Sequence, residues 1–138
     1  MMNSDQPAVN NPIVSPVSQT TQDVISLDLK QARHNFGSDE ALLCEIAIVF
    51  IEDVPLLVEQ LEQAFQHGDE QTVCRMVHSL KGLCATFGAE PTRSIAQRIE
   101  HDCTHDAFES VTLERITQLV VKLEQTVATL RSELQIRG

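Results

Sequence analysis

Three residues that could carry out chemistry, His78, Lys81 and Gly82, lie within little more than one turn of a single predicted helix. The apolar stripe of that helix is centred on Leu80, and at about 100° per residue His78 lies roughly 160° away from that centre. The imidazole is therefore predicted to face solvent instead of the core. An exposed imidazole is a competent nitrogen nucleophile, so transfer of a group onto nitrogen is the chemistry that this position could support.

Gly82 and Lys81 shape the surface beside His78. Gly82 follows His78 by one turn on the same outer face, in the interior of an otherwise strong helix. Glycine in such a position costs about 0.5–1 kcal/mol relative to alanine, and on a solvent-facing side the fold gains nothing from it. We interpret Gly82, with Ala85 one turn further on, as room for another molecule to come close. Lys81 can hold its ammonium group over the imidazole.

The segment from Gln71 to Ile99 is basic although the chain as a whole is acidic. The 138 residues include 20 Asp and Glu against 10 Lys and Arg, a net charge of −10. Within the segment Glu90 is the one acidic residue, and the basic residues are Arg75, Lys81, Arg93 and Arg98. A local positive surface around an exposed histidine suits a phosphoryl group or an acidic pocket on a partner. The overall negative charge argues against nucleic acid or a membrane surface as the partner.

The elements that position these residues are predicted to be helices throughout. Apolar residues make up 42% of the chain, without Trp or Tyr and with few Gly or Pro, which favours an aliphatic, all-α core. Apolar residues recur at steps of three and four in successive segments. These segments predict a short leading helix from Leu27 to about Asn35 and four longer helices, the last from about Ser110 to Gln135.

The ends and inner faces of the long helices follow from capping residues and apolar spacing. Ser38 is expected to cap the second helix, Pro55 to kink or restart it, and Gly68 to stop it. Asp69 is expected to cap the third helix, and Pro91 suits the first turn of the fourth. Residues predicted to face inward include Leu43, Phe50 and Leu61 in the second helix, Ile95, Ala96, Ile99 and Cys103 in the fourth, and Leu113, Ile116 and Leu123 in the fifth.

Short connections between these helices predict an antiparallel up-and-down four-helix bundle with a short leading helix, over residues 25–138. Residues 1–24 are polar, contain three prolines and lack an apolar period, so we expect a flexible tail or linker there. Cys44, Cys74, Cys84 and Cys103 show no metal-binding or C-x-x-C spacing and are expected to be reduced core residues. The sequence shows no signal peptide or membrane-spanning stretch, and we expect a cytoplasmic protein.

The segment His78-Ser79-Leu80-Lys81-Gly82 resembles the H-x-x-K-G motif of histidine-containing phosphotransfer (HPt) domains. The similarity covers roughly residues 27 to 135. Besides the motif and the leading helix, it includes the stretch from Phe50 to Pro55, the His-Gly-Asp turn at 67–69, Phe87-Gly88-Ala89, and Ile99-Glu100.

The resemblance implies a phosphocarrier of multistep two-component phosphorelays, whose partners are receiver domains of response regulators or of a hybrid sensor kinase. His78 would take a phosphoryl group on Nε2 from one receiver aspartate and pass it to another, Lys81 would balance the phosphoryl charge, and Gly82 would let the receiver approach. Gln97 and Glu100 match two positions that flank the histidine in the family, and either could orient the ring through Nδ1. The receiver would supply Mg²⁺, so we expect no cofactor on this chain, which we expect to be monomeric.

The sequence holds no nucleotide-binding loop or kinase motif, so no ATP-dependent kinase activity is expected. Two other interpretations stay open. The first is a metal-binding helical bundle that uses residues 100–106, where His101 and His105 are spaced i, i+4 among other ligand types. The second is a helical adaptor without phosphotransfer, which explains the bundle but not an exposed His78 followed by Gly82.

Overall fold

The computed structural model describes residues 26–136, and every long element in this range is an α-helix, as predicted. The helices are α1 (Leu29–Asn35), α2 (Glu40–Gln66), α3 (Glu70–Thr86), α4 (Glu90–Thr104) and α5 (Leu113–Glu133), with a 3₁₀ turn at Phe108–Ser110 before α5. The predicted tail, residues 1–24, lies outside the described residues.

Helices α2 to α5 form the predicted antiparallel bundle. Helix α2 packs against α3 and α5, and α4 closes the ring by packing against the same two helices. The turns after α2 and α3 contain Gly68 and Gly88, whose φ angles of 67° and 66° lie in the left-handed region that glycine adopts without strain. The most extensive helix contact is between α3 and α4, and this pair carries the candidate site.

Aspartate side chains cap the first three helices. Asp69 caps α3 as predicted, since its carboxylate accepts the backbone N–H of Thr72 at 3.2 Å. The prediction that Ser38 caps α2 is wrong. Asp39 performs this role and accepts the N–H of Leu42 at 3.0 Å, because Ser38, with a φ of 64°, still belongs to the turn that ends α1.

The core is aliphatic apart from two phenylalanines, as the composition suggested. Phe50 of α2 and Phe87 at the end of α3 pack with their ring centroids 5.3 Å apart. Around them the fully buried side chains include Leu43, Leu61, Val73, Val77, Leu80, Ile99, Ile116, Leu119, Leu123 and Leu130. The apolar spacing thus identified the inner faces of the long helices, because core burial follows the helical period.

Several details of the helices differ from the prediction. Leu113, predicted to face inward, is 61% exposed, because α5 begins at this residue and not at Ser110. Helix α2 runs without interruption through Pro55, which is exposed. Of the four cysteines, only Cys84 is a fully buried core residue, and the other three are half-buried.

The segment before α1 packs against the turn between α3 and α4. The backbone N–H of Asp28 donates to the carbonyl oxygen of Gly88 at 3.0 Å. A side chain at Gly88 would meet this segment, because a Cβ there would lie 2.6 Å from backbone atoms of Asp28. None of the described helices has both the length and the apolar character that crossing a bilayer needs.

Candidate functional site

Helix α3 presents His78 on its outer face. The neighbours Val77 and Leu80 are fully buried, and the helical period therefore turns the imidazole away from the core. The His78 side chain is 66% exposed. The structure thus gives the exposed imidazole that the position of His78 in the apolar pattern predicted.

Glu100 of α4 contacts both His78 and Lys81 of α3. Its Oε2 atom lies 2.5 Å from Nδ1 of His78, and its Oε1 atom lies 2.6 Å from Nζ of Lys81. The Glu100 side chain is 17% exposed, so the carboxylate is the more shielded partner of both contacts. One carboxylate therefore joins the imidazole and the ammonium group in a single hydrogen-bonded unit.

The charge state of Glu100 determines which nitrogen of the His78 imidazole carries the proton. Partial burial acts to raise the pKa of Glu100, but hydrogen bonds and charge from Lys81 and His78 outweigh it, and the pKa lies below its ordinary value of 4.5. An ionised carboxylate only accepts hydrogen bonds, so Nδ1 of His78 carries the proton of the short contact. In a neutral imidazole, the lone pair then resides on Nε2.

The helix surface that follows His78 on the exposed face of α3 carries only small residues, Gly82 and Ala85. A Cβ atom placed on Gly82 would meet nothing within 4 Å beyond its chain neighbours and the adjoining helix backbone, and Ala85 one turn later is also exposed. Packing within the described chain therefore does not require glycine at this position. The missing side chain leaves open space toward solvent, next to the imidazole.

Gln97, the other predicted flanking residue, forms no hydrogen bond with the His78 ring. Its side-chain oxygen accepts a hydrogen bond from Nη1 of Arg93, and the same guanidinium pairs with Glu90 at 2.5 Å. Of the two candidates on α4, the structure brings Glu100 to His78 and leaves Gln97 in a separate surface cluster.

The basic surface is partly neutralised. Lys81 and Arg93 are paired with carboxylates, whereas Arg75 and Arg98 are exposed and form no ion pair with any residue in 26–136. Counting charges along the segment missed this, because Glu100 lies just beyond Ile99, where the counted segment ends. The pairing of Glu90 with Arg93 is local, and it could have been predicted from the i, i+3 spacing of the two residues on a helix.

A groove flanks the site on the side of α2. It has a volume of about 680 Å³ and borders Ser79, the residue next to His78. Its lining combines apolar groups of Leu57, Ala64 and Met76 with the guanidinium of Arg75 and the carboxylate of Asp69. The surface next to the imidazole therefore offers both apolar area and positive charge to a partner.

The side chains of the 100–106 segment make contacts in different directions. Glu100 contacts α3, whereas Asp102 accepts a hydrogen bond from Nη1 of Arg115 at 2.6 Å. The rings of His101 and His105 stack with centroids 4.1 Å apart. Among residues 26–136, no group of three His, Cys, Asp or Glu side chains is placed to hold a metal ion.

Comparisons with known proteins address the family. The protein-family model for the Hpt domain matches residues 45–137. No curated protein matches the chain. Among solved structures, the HPT domain of the Hpt sensor hybrid histidine kinase from Shewanella matches with a TM-score of 0.70 and 19% sequence identity, covering 81% of this chain and 96% of that chain. The structural match shows a shared fold. The family match spans most of the sequence, including His78 and Glu100, and the chain therefore belongs to the Hpt domain family.

Proposed function

We propose that this chain is a phosphocarrier of a multistep two-component phosphorelay. His78 accepts a phosphoryl group from the aspartyl phosphate of one receiver domain and passes it to the aspartate of another. The observation that carries the proposal is the exposed His78 imidazole, whose Nδ1 lies 2.5 Å from the Glu100 carboxylate. Membership of the Hpt domain family supports the same role.

The contact with Glu100 selects the attacking atom. Because Nδ1 donates its proton to the carboxylate, the neutral ring keeps its lone pair on Nε2. The ring is also held at one edge, so the nucleophile is positioned before the partner arrives. An exposed Nε2 with a fixed orientation suits an in-line attack on a phosphorus atom brought by another protein.

The transfer step balances without a further reactant. The Nε2 lone pair of His78 forms the N–P bond while the P–O bond to the receiver aspartate breaks, and the aspartate leaves as a carboxylate. The imidazole becomes cationic with its proton still on Nδ1, and the negative charge of Glu100 stabilises it. In the second transfer, an oxygen of the accepting aspartate attacks phosphorus and Nε2 leaves with the electron pair.

Lys81 supplies mobile positive charge for the transferring group. Its ammonium group is 2.6 Å from Glu100, one turn from His78, and its flexible stem lets it turn toward phosphoryl oxygens when they arrive. Transfer that depends on positioning and electrostatics needs such a charge more than it needs an acid or a base. The phosphoryl group arrives already activated as an acyl phosphate, so the role requires no nucleotide site on this chain.

The surface around His78 suits the approach of a receiver. The open space at Gly82 and Ala85 lets another backbone come close to the imidazole, and the groove beside Ser79 adds apolar contact area. The free guanidinium of Arg75 favours an acidic partner surface. We expect the receiver to bring Mg²⁺ together with its reactive aspartate, so this chain needs no cofactor of its own.

Phosphotransfer from a panel of radiolabelled, phosphorylated receivers tests the proposal. The expected result is label on the wild type that is labile in acid and stable in alkali, and no label on the His78→Gln variant. His101→Gln is the matched control, because His101 is also exposed but stacks on His105 outside the site, and it should be labelled like the wild type. Equal labelling of wild type and His78→Gln, or no labelling of a correctly folded wild type by any receiver, would refute the role.

A further inference from the structure

Cys74 of α3 and Cys103 of α4 meet across the interface that also joins His78 and Glu100. The turn at Gly88 lies almost midway between them in the sequence, as the antiparallel pairing of α3 with α4 requires. Cys74 precedes His78 by about one turn and Cys103 follows Glu100 by about one turn, so the thiols form the next layer of the interface. The Cys74 side chain is close enough to Cys103 to act on its thiol, and both residues are half-buried free thiols.

We propose that Cys74 and Cys103 are a modification site, an oxidation-sensitive thiol pair that a peroxide converts into an intramolecular disulfide between α3 and α4. A disulfide requires the two backbones to be close. The contact between α3 and α4 is the most extensive in the bundle, and the small side chain of Ala96 on α4 is fully buried. The pair therefore combines mutual proximity, partial access to solvent and closely packed backbones.

The environment of the two thiols determines which of them reacts first with peroxide. Burial raises the pKa of Cys103 to about 12, and the neighbouring groups Cys74, Glu70 and Asp102 act in the same direction. Because the thiolate is the reactive form, Cys103 is a poor first nucleophile toward peroxide. Cys74 therefore reacts first, and Cys103 closes the disulfide because its attack on the adjacent sulfenic acid is intramolecular. Cys84 stays out of the reaction because it is fully buried, which raises its pKa to about 12 as well.

With hydrogen peroxide the two steps balance as follows. The sulfur of Cys74 attacks one peroxide oxygen, the O–O bond breaks, and a sulfenic acid and one water are formed. The sulfur of Cys103 then attacks the sulfur of Cys74, the S–S bond forms, and the S–O bond breaks. The departing hydroxide takes the proton of Cys103 and leaves as a second water. Two thiols are oxidised by two electrons in total, and one peroxide is reduced to two waters.

The test is to oxidise the reduced full chain with a small excess of hydrogen peroxide, alkylate the remaining thiols and map the cysteines by peptide mass spectrometry. The expected product is a monomer that has lost two hydrogens, with Cys74 linked to Cys103 and with Cys44 and Cys84 alkylated. The Cys44→Ser, Cys84→Ala double variant should still form the disulfide, and Cys74→Ser and Cys103→Ser should each abolish it. In Cys103→Ser, the sulfenic acid on Cys74 should persist and react with dimedone.

The proposal is overturned if Cys74 and Cys103 are both recovered as alkylated thiols under conditions that oxidise Cys44. It is also overturned if the disulfide joins either cysteine to Cys44 or to a second chain. Circular dichroism of each serine variant shows whether its helices are intact. The double variant, which leaves the proposed pair unchanged, keeps the test decisive if a single variant fails to fold.

Discussion

The Oε2 atom of Glu100 lies 2.5 Å from Nδ1 of His78, across the interface between α4 and α3. The two residues are 22 positions apart in the sequence, so their contact depends on how α4 is set against α3. The same carboxylate binds Lys81 at 2.6 Å. The orientation of the proposed nucleophile is therefore a property of the packed helix pair and not of α3 alone.

Replacing Glu100 with Gln should slow phosphotransfer while leaving the bundle folded. The amide keeps the shape of the side chain but loses the negative charge that holds Nδ1–H and stabilises the cationic phosphorylated ring. A hydrogen bond to a charged group contributes about 1.5–3 kcal/mol, so we expect a rate decrease of about tenfold or more. Single-turnover transfer from a phosphorylated receiver measures this effect.

Gln97→Ala is the control for that experiment, because Gln97 lies on the same helix and bonds to Arg93 instead of His78. Its transfer rate should stay within about twofold of the wild type, as for an ordinary surface substitution. A larger effect from Gln97→Ala than from Glu100→Gln would contradict the assignment of the orienting residue.

The stabilising effect of Glu100 should disappear in acid. Its pKa in the folded chain lies below its ordinary value of 4.5 because hydrogen bonds to Lys81 and His78 outweigh partial burial. A group with a depressed folded-state pKa stabilises the fold fully above the ordinary pKa and loses that contribution as the pH falls through the folded value. The wild type should therefore unfold at a higher temperature than Glu100→Gln at pH 7, with the difference vanishing well below pH 4.5. A constant difference across that range would contradict the paired state of Glu100.

Gly82→Ala should slow phosphotransfer without destabilising the fold. A Cβ at this position meets nothing within 4 Å beyond its chain neighbours and the adjoining helix backbone, and alanine is favoured over glycine in a helix interior by about 0.5–1 kcal/mol. We therefore expect an unchanged or higher melting temperature together with slower phosphotransfer. Larger side chains at position 82 should slow transfer further. A transfer rate that does not change with the size of the side chain at position 82 would contradict the role of Gly82 in letting the receiver approach closely.

Local sequence patterns were sufficient to predict the bundle and the exposed histidine. Burial of Val77 and Leu80 and exposure of His78 follow from the helical period within α3, which is a local property. Asp69 was identified as a cap for the same reason. The error at Ser38 was also local, because both Ser38 and Asp39 suit an N-cap and only the backbone angles decide between them.

The partners of the site could not be predicted from local patterns. Gln97 and Glu100 both lie on α4 near the level of His78, and only the rotation of α4 against α3 determines that Glu100 reaches the ring. The proximity of Cys74 to Cys103 depends on the same register. The count of charged residues along the sequence treated Lys81 as an unpaired positive charge. This was wrong because its partner, Glu100, comes from a neighbouring helix.

Gly88→Ala should destabilise the fold more than Gly68→Ala, although both glycines have nearly the same positive φ. The left-handed conformation costs a non-glycine residue about 1–2 kcal/mol at either site. At Gly88 a Cβ would also lie 2.6 Å from backbone atoms of Asp28, whereas at Gly68 it meets nothing within 4 Å. Thermal or urea unfolding of the two variants isolates the cost of displacing the segment before α1. Equal destabilisation would contradict the packing of Asp28 on this turn.

The position of the phosphoryl group on the His78 ring tests the central claim most directly. The wild type, labelled with ¹⁵N and phosphorylated by its fastest receiver, can be examined by ¹H–¹⁵N correlation spectra of the imidazole nitrogens. Donation of the Nδ1 proton to Glu100 predicts phosphorylation of His78 at Nε2, with Nδ1 still protonated. A phosphoryl group on Nδ1 or on any other histidine would contradict the account.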